Sequence, residues 1–232
     1  MQKLAIIPAR SGSKGLPDKN IINLNEKPLM YYTIKAALAS QCFDEVMVST
    51  DSEKYAEIAR QCGASVPFLR SPQMSGDHTD SWDSVREVLN NYKKMNKEFD
   101  YIALLQPTSP LRNVNDIKEI MYLIKDPDVH NAVAVTEVDH PIQWCFKLSE
   151  NSLMDKMAVS PYSHMRRQEL ETYYRENGAA YIVNAIRIMD PAYNFYSDKC
   201  IAYIMPRERS IDIDTRMDLQ IAGLLLREMN HL

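Results

Sequence analysis

Two aspartates near the C-terminus carry the sharpest chemical signal in this sequence. They stand two apart in Ser210-Ile211-Asp212-Ile213-Asp214. In an extended strand, positions i and i+2 share a face. Asp212 and Asp214 then point together, with Ile211 and Ile213 packing behind them. Two close carboxylates raise each other's pKa unless a cation sits between them. Hard oxygen ligands that leave room for substrate phosphates suit Mg²⁺. Asp214 has a second reading, because Thr215-x-x-Asp218 has the form of a helix-capping box. That reading leaves Asp212 unexplained.

A basic loop is the natural counterpart of such a metal pair, and the chain opens with one. The apolar run at residues 4–7 leads into Pro8-Ala9-Arg10-Ser11-Gly12-Ser13-Lys14-Gly15-Leu16-Pro17-Asp18-Lys19-Asn20. Glycines let backbone N–H groups turn toward phosphate oxygens. Arg10, Lys14 and Lys19 add positive charge, and Ser11, Ser13 and Asn20 add neutral hydrogen bonds. Neither the Walker A pattern nor the dinucleotide-binding G-x-G-x-x-G is present. The alternative is a turn whose cations face water.

Two further clusters are polar enough to bind a ligand. Gln106-Pro107-Thr108-Ser109-Pro110-Leu111-Arg112 follows an apolar strand, where ligands of open α/β sheets sit. Arg166-Arg167-Gln168 and Arg175-Glu176-Asn177-Gly178 offer arginine forks for carboxylate or phosphate. The alternatives are a proline-rich turn and a solvated basic face paired with Glu169, Glu171 and Glu176. The five histidines lack metal-ligand spacing. Asp77, His78, Thr79 and Ser81 form either a polar wall beside a base or a loop and helix cap.

Strand-like and helix-like segments alternate around these clusters. Strands are expected at 4–7, 46–49, 101–105, 132–135, 179–183 and 201–205. Helices are expected at 29–39, 52–62, 81–92, 116–124 and 215–229, the second stopped by Gly63. Such alternation gives an α/β fold with a doubly wound, mostly parallel sheet. It also puts the opening loop, Ser49-Thr50-Asp51 and the 106–112 loop on one edge. The polar, irregular stretch 140–175 carries Trp144, Phe146, Tyr162, Tyr173 and Tyr174. It reads as an insertion outside the sheet, a lid or dimer arm, within a single domain spanning 1–232.

The 232 residues suffice for one such domain with a full core. A net charge of −4 argues against a general nucleic-acid or membrane binder and suits a small anionic ligand held by a local basic loop. The four cysteines form no C-x-x-C pair, so reduced thiols are expected. Neither a signal peptide nor a membrane-spanning run is evident, and a cytoplasmic location is expected.

In order, these motifs resemble the N-acylneuraminate cytidylyltransferase family, the CMP-sialic acid synthetases. The likeness covers the whole chain. It rests on 7–20, Gln106-Pro107-Thr108-Ser109-Pro110-Leu111-Arg112, Arg175-Glu176-Asn177-Gly178-Ala179 and Ser210-Ile211-Asp212-Ile213-Asp214-Thr215. The resemblance implies a nucleotide-diphospho-sugar transferase fold, Mg²⁺ dependence and a homodimer. It implies that CTP and a nine-carbon 2-keto sugar acid give the CMP-sugar and pyrophosphate. By motif, Arg10, Ser11, Lys14, Lys19 and Asn20 would hold CTP, and Ser81 would lie near the base. Gln106, Arg175 and Tyr174 would face the sugar acid, and Asp212 and Asp214 would bind metal. Arg167 would come from the partner subunit. The stretch 75–82 departs from the sialic-acid pattern at the bulkier His78 and Trp82, which leaves GTP as an alternative. Legionaminic or pseudaminic acid is the alternative sugar, with an N-acyl pocket near Tyr173, Tyr174, Phe195 and Tyr196. An alternative of a different class is a non-catalytic nucleotide-binding module.

Overall fold

The computed structural model describes residues 1–13, 15–76, 80–152, 154–156, 165–196 and 199–229. In chain order the strands are β1 (Lys3–Pro8), β2 (Asn23–Leu24), β3 (Lys27–Pro28), β4 (Glu45–Ser49), β5 (Tyr101–Leu104), β6 (Asn131–Glu137), β7 (Phe146–Leu148), β8 (Met154–Lys156), β9 (Tyr174–Asn184) and β10 (Cys200–Ile204). The α-helices are α1 (Leu29–Ser40), α2 (Glu53–Cys62), α3 (Ser81–Lys94), α4 (Val114–Leu123), α5 (Ala185–Ile188) and α6 (Arg216–Met229).

Six strands form the main sheet in the order β10-β6-β9-β5-β1-β4. β1 runs parallel to β4 and β5, and β10 parallel to β6. Only β9 runs against its neighbours, β5 and β6. The expected doubly wound, mostly parallel sheet is therefore the fold. Its two-sided burial is visible within β1. Ala5 and Ile7 enter one core with α1, α2 and α4, while Leu4 and Ile6 enter the other with α3 and α5. That alternation is the strand's two-residue period, and burial on both faces makes the strand apolar throughout.

Local chemistry sets the helix ends. The Ser52 hydroxyl accepts the Tyr55 N–H at the start of α2, and Gly63 ends it with φ 100°. Asn113 and Asp116 close a capping box at the start of α4. A third apolar cluster joins Ala222 and Leu226 of α6 to Leu24, Leu29, Leu111 and Ile213.

Two sequence expectations need correction. The insertion ends at Tyr173, because Tyr174 and Arg175 pair with Glu137 and Thr136 in the main sheet. Within it, β7 and β8 make a separate two-stranded ribbon; Tyr162 lies outside the described residues. The segment 210–214 is not a strand. It follows a 3₁₀ turn at Arg207–Arg209 and pairs with no strand of any sheet. Ile213 donates to the Thr108 carbonyl at 2.8 Å, and Asp214 donates to the Asp218 carboxylate at 3.2 Å.

Among the described residues no helix is long and apolar enough to cross a membrane. All four cysteines are unpaired.

Candidate active site

The carboxyl ends of β1 and β5 open into a cleft of about 570 Å³. Arg10, Lys19 and Asn20 line it from the opening loop, Gln106 and Thr108 from the loop after β5, and Asp212 and Asp214 from the segment before α6. Ser81, at the start of α3, also lines it. The structure thus gathers seven of the site residues expected from sequence. Lys14 lies outside the described residues, as do Asp77, His78 and Thr79.

The opening loop is pinned at several points. Ala9 N–H donates to the Ser49 carbonyl at 2.9 Å. The Ser11 N–H and hydroxyl both donate to Asp51, each at 2.7 Å. The Asn20 amide donates to the Arg10 carbonyl at 3.0 Å, and the Tyr55 phenol to Asp18 at 2.8 Å. Ser11 is thereby a loop anchor committed to Asp51, and the loop residues that line the cleft include Arg10, Lys19 and Asn20. Burial pushes the Asp51 carboxyl up, but the two Ser11 hydrogen bonds and the Arg70 charge outweigh it and hold the group low. Gly12 turns with φ 71°, a conformation glycine adopts without a steric penalty.

The acidic wall is fixed from behind. Buried Ile213 anchors the segment in the cluster beneath α6, so both neighbouring carboxylates face the cleft. Asp218 accepts from the Thr215 N–H at 2.7 Å and the Thr215 hydroxyl at 2.8 Å, closing the capping box at α6. The Asp214 backbone joins the cap, as the capping reading expects, and its side chain reaches Lys19 Nζ at 2.8 Å. Upstream, the Arg209 fork donates to Asp116 at 3.0 and 2.8 Å, tying the turn before Asp212 to α4.

Asp212 is electrostatically strained. Burial raises its pKa most, a Thr108 hydrogen bond opposes this, and the Asp214 charge raises it again. Lys19 and Arg175 lower it in part. Its Oδ1 is buried without a hydrogen-bond partner. An orphaned hard oxygen beside a second carboxylate fits a divalent cation that takes its other oxygens from substrate phosphates and water. Among the described residues no group of three or more His, Cys, Asp or Glu side chains could hold a metal alone.

The Gln106 wall is held by a close backbone approach. Gly178 has φ 70°, and a Cβ there would stand 2.6 Å from Gln106 Oε1. Buried Asn177 donates to the Ser210 hydroxyl at 3.0 Å, while the Ser109 hydroxyl donates to the Asn177 carbonyl at 3.1 Å. The motifs around 106–112, 175–179 and 210–214 are one buried network. Arg112 lies beneath it, donating to the Ala179 and Gln106 carbonyls. Burial pushes its pKa down to about 10.

Other expected residues lie outside the cleft lining. Arg175 is exposed but close enough to influence Asp212. Tyr174 is exposed at the start of β9, and Arg167 pairs loosely with Glu137 at 3.5 Å. Phe195 and Tyr196 join an aromatic group with Trp82 and Tyr181, whereas Tyr173 donates to Glu171. Sequence reasoning missed Arg70. This buried cation lines the cleft and donates to the Ser49 hydroxyl and carbonyl at 3.1 and 3.0 Å. Its neighbours Leu69 and Ser71 carry no motif, so only the fold could find it.

Comparison with known proteins agrees with this geometry. The profile of the family described as Cytidylyltransferase matches residues 4–203. The chain belongs to that family. It is 42% identical over 221 residues to an N-acylneuraminate cytidylyltransferase of Streptococcus agalactiae, covering 94% of this chain and 52% of that protein. It is 35% identical to a pseudaminic acid cytidylyltransferase of Campylobacter jejuni, covering 100% of this chain and 98% of the relative. It is 37% identical to a CMP-N,N'-diacetyllegionaminic acid synthase of Legionella pneumophila, covering 99% and 98%. The cytidylyltransferase chain thus spans about half the length of the N-acylneuraminate relative. Among solved structures, a CMP:2-keto-3-deoxy-manno-octonic acid synthetase complexed with CTP superposes with a TM-score of 0.73 at 18% identity. That match covers 99% of this chain and 100% of the other, and it speaks to the fold.

Proposed function

We propose that this cytidylyltransferase activates a nine-carbon 2-keto sugar acid, converting CTP and the acid to the CMP-sugar and pyrophosphate in the cytoplasm. The observation that carries this reading is the facing of a basic loop and a paired-carboxylate wall across one cleft. Arg10, Lys19 and Arg70 offer positive charge to a triphosphate from one side. Asp212 and Asp214 offer hard oxygens from the other. Relatives named for sialic, pseudaminic and legionaminic acids support the class of sugar acid without selecting among them.

The reaction is an in-line displacement at the α-phosphorus by the sugar's anomeric hydroxyl. It needs positioning and charge neutralisation more than a covalent intermediate. Lys19 and Arg10 hold the leaving phosphates, Asn20 fixes the loop, and Ser81 lies beside the base. Gln106 and Arg175 orient the sugar acid. Asp212 and Asp214 would hold Mg²⁺, which when bound neutralises phosphate charge and increases the acidity of a coordinated hydroxyl.

We further propose a homodimer. The arm 140–173 exposes Ile142, Trp144, Phe146 and Leu148. Large apolar and aromatic groups of this kind are what interface cores use. Arg167 then completes the neighbour's sugar-acid site.

The test is pyrophosphate release with Mg²⁺ and a panel of nine-carbon acids, with CTP and GTP in parallel. Release with CTP and at least one acid is expected. Binding of CTP without turnover on any acid would instead favour a nucleotide-binding module.

A further inference from the structure

We infer that Glu176 is a specificity-determining residue of the sugar-acid site, accepting a hydrogen bond from a hydroxyl or amide N–H on the acid's exocyclic tail. This rests on the proposed function above.

Glu176 follows Arg175 on β9 and precedes Asn177-Gly178, the pair that seats Gln106. Its side chain is held by phenols rather than by a cation. The Tyr181 hydroxyl donates to Oε2 at 2.8 Å, and the Tyr196 hydroxyl donates to Oε1. Each carboxylate oxygen has two acceptor sites, so one phenol apiece leaves capacity on both. A carboxylate fixed at both oxygens while still exposed is an acceptor preset in direction.

The surroundings suit a sugar. Trp82 stacks on Phe195 at 5.0 Å, with Tyr181 edge-on to both and Tyr196 edge-on to Phe195. The group lies beside the cleft lining in the chain, Trp82 following Ser81, and the aromatic residues themselves are not part of that lining. Tyr181 also feels the Asp212 charge from across the site.

Charge then sets the orientation. A fixed carboxylate repels the triphosphate and the sugar's own carboxylate. The neighbouring Arg175 attracts that carboxylate. The donor-rich tail is the part of the substrate left to face Glu176.

The experiment is a cycle of one variant and one substrate change. Wild type and Glu176→Gln are assayed with CTP and the best-accepted nine-carbon acid. They are assayed again with the analogue whose tail hydroxyls are replaced by hydrogen. Glu176→Gln should raise KM for the parent acid roughly tenfold, the scale of a charged hydrogen bond, with KM for CTP unchanged. The deoxygenated acid should cost wild type a similar factor and the variant little more, because both changes remove one contact. Tyr196→Phe, which loosens the carboxylate without removing it, should fall between. Additive losses would mean that Glu176 only braces the tyrosines and would overturn the inference, as would an unchanged KM for the acid. A wild-type chain that turns over no acid would overturn the proposed function as well.

Discussion

Replacing Asp212 with Asn should abolish turnover and yet stabilise the fold when metal is absent. The Asp212 carboxylate is half-buried, repelled by Asp214, and has a buried oxygen without a partner. Leaving a buried polar group unsatisfied costs about 1–3 kcal/mol, and more for a charged one. Asn keeps the shape and removes the charge. Lys19 and Arg175 offset part of the strain, so the lower end is the fair expectation. About 1 kcal/mol of relief raises Tm by about 2–4 °C for a chain of this length.

The order should reverse when metal and nucleotide are added. A ligand at a hundred times its Kd stabilises the native state by about 2.7 kcal/mol. Wild type gains this if Asp212 helps hold Mg²⁺ beside the nucleotide, and Asp212→Asn loses most of it. The assay is thermal unfolding of both proteins in EDTA and then in Mg²⁺ with CTP. The variant should melt higher in EDTA and lower with ligands. A variant that melts below wild type in EDTA would refute the electrostatic argument. Equal gains from Mg²⁺ and CTP would refute the metal assignment.

Lys19→Ala should lose tenfold or more in kcat/KM for CTP, since one charged hydrogen bond is worth about 1.5–3 kcal/mol; initial-rate kinetics check this. Asp51, whose folded pKa is lowered, contributes stability above the usual aspartate range that fades as pH falls through its folded value. Asp51→Asn should therefore lower Tm at pH 7, and the gap to wild type should close in acid melts. Gly178→Ala meets both a positive φ and the Gln106 carboxamide. It should cost about 1–2 kcal/mol in stability and raise KM for the sugar acid more than for CTP. Inactive Arg167→Ala and Asp212→Asn chains, mixed and allowed to exchange, should regain activity in hybrid dimers; no recovery after confirmed exchange would count against the shared site.

The fold was legible because its signals are local. The apolar run around Leu4–Ile7, the Ser52 cap and the Gly63 stop each act over a few residues. The strand face expected for Asp212 and Asp214 from the alternation with Ile211 and Ile213 is absent, although both carboxylates line the cleft. No strand ladder holds 210–214; Ile213 does so by packing under α6 and bonding to Thr108. That contact spans about half the chain, and no periodicity encodes it. Arg70 was missed for the same reason, because its partner Ser49 belongs to a different element. Ser11 looked like a phosphate ligand because a hydroxyl in a glycine loop suits one, but Asp51, forty residues away, takes both its donors. The β9 boundary shows the limit of composition. Tyr174 and Arg175 look polar and irregular, yet they extend a strand by pairing with β6.

Several unfavourable terms in this molecule meet in one corner. Of the buried polar atoms without a hydrogen bond among the described residues, three belong to Arg112 and Asp212. Both border the 106–112 loop, Arg112 through the Gln106 carbonyl and Asp212 through Thr108. Gly178, with its left-handed φ, presses on Gln106 in the same corner. Well-folded sequences break local rules mainly where function requires it. Here the broken rules leave Asp212 with an oxygen directed to no protein donor and Gln106 with a side chain fixed by contact. A more stable sequence would neutralise Asp212. That change would take a charge from the wall that faces Lys19 and Arg10. The stability lost in this corner leaves Asp212 with an oxygen that no protein donor satisfies, which is what the proposed cation site requires.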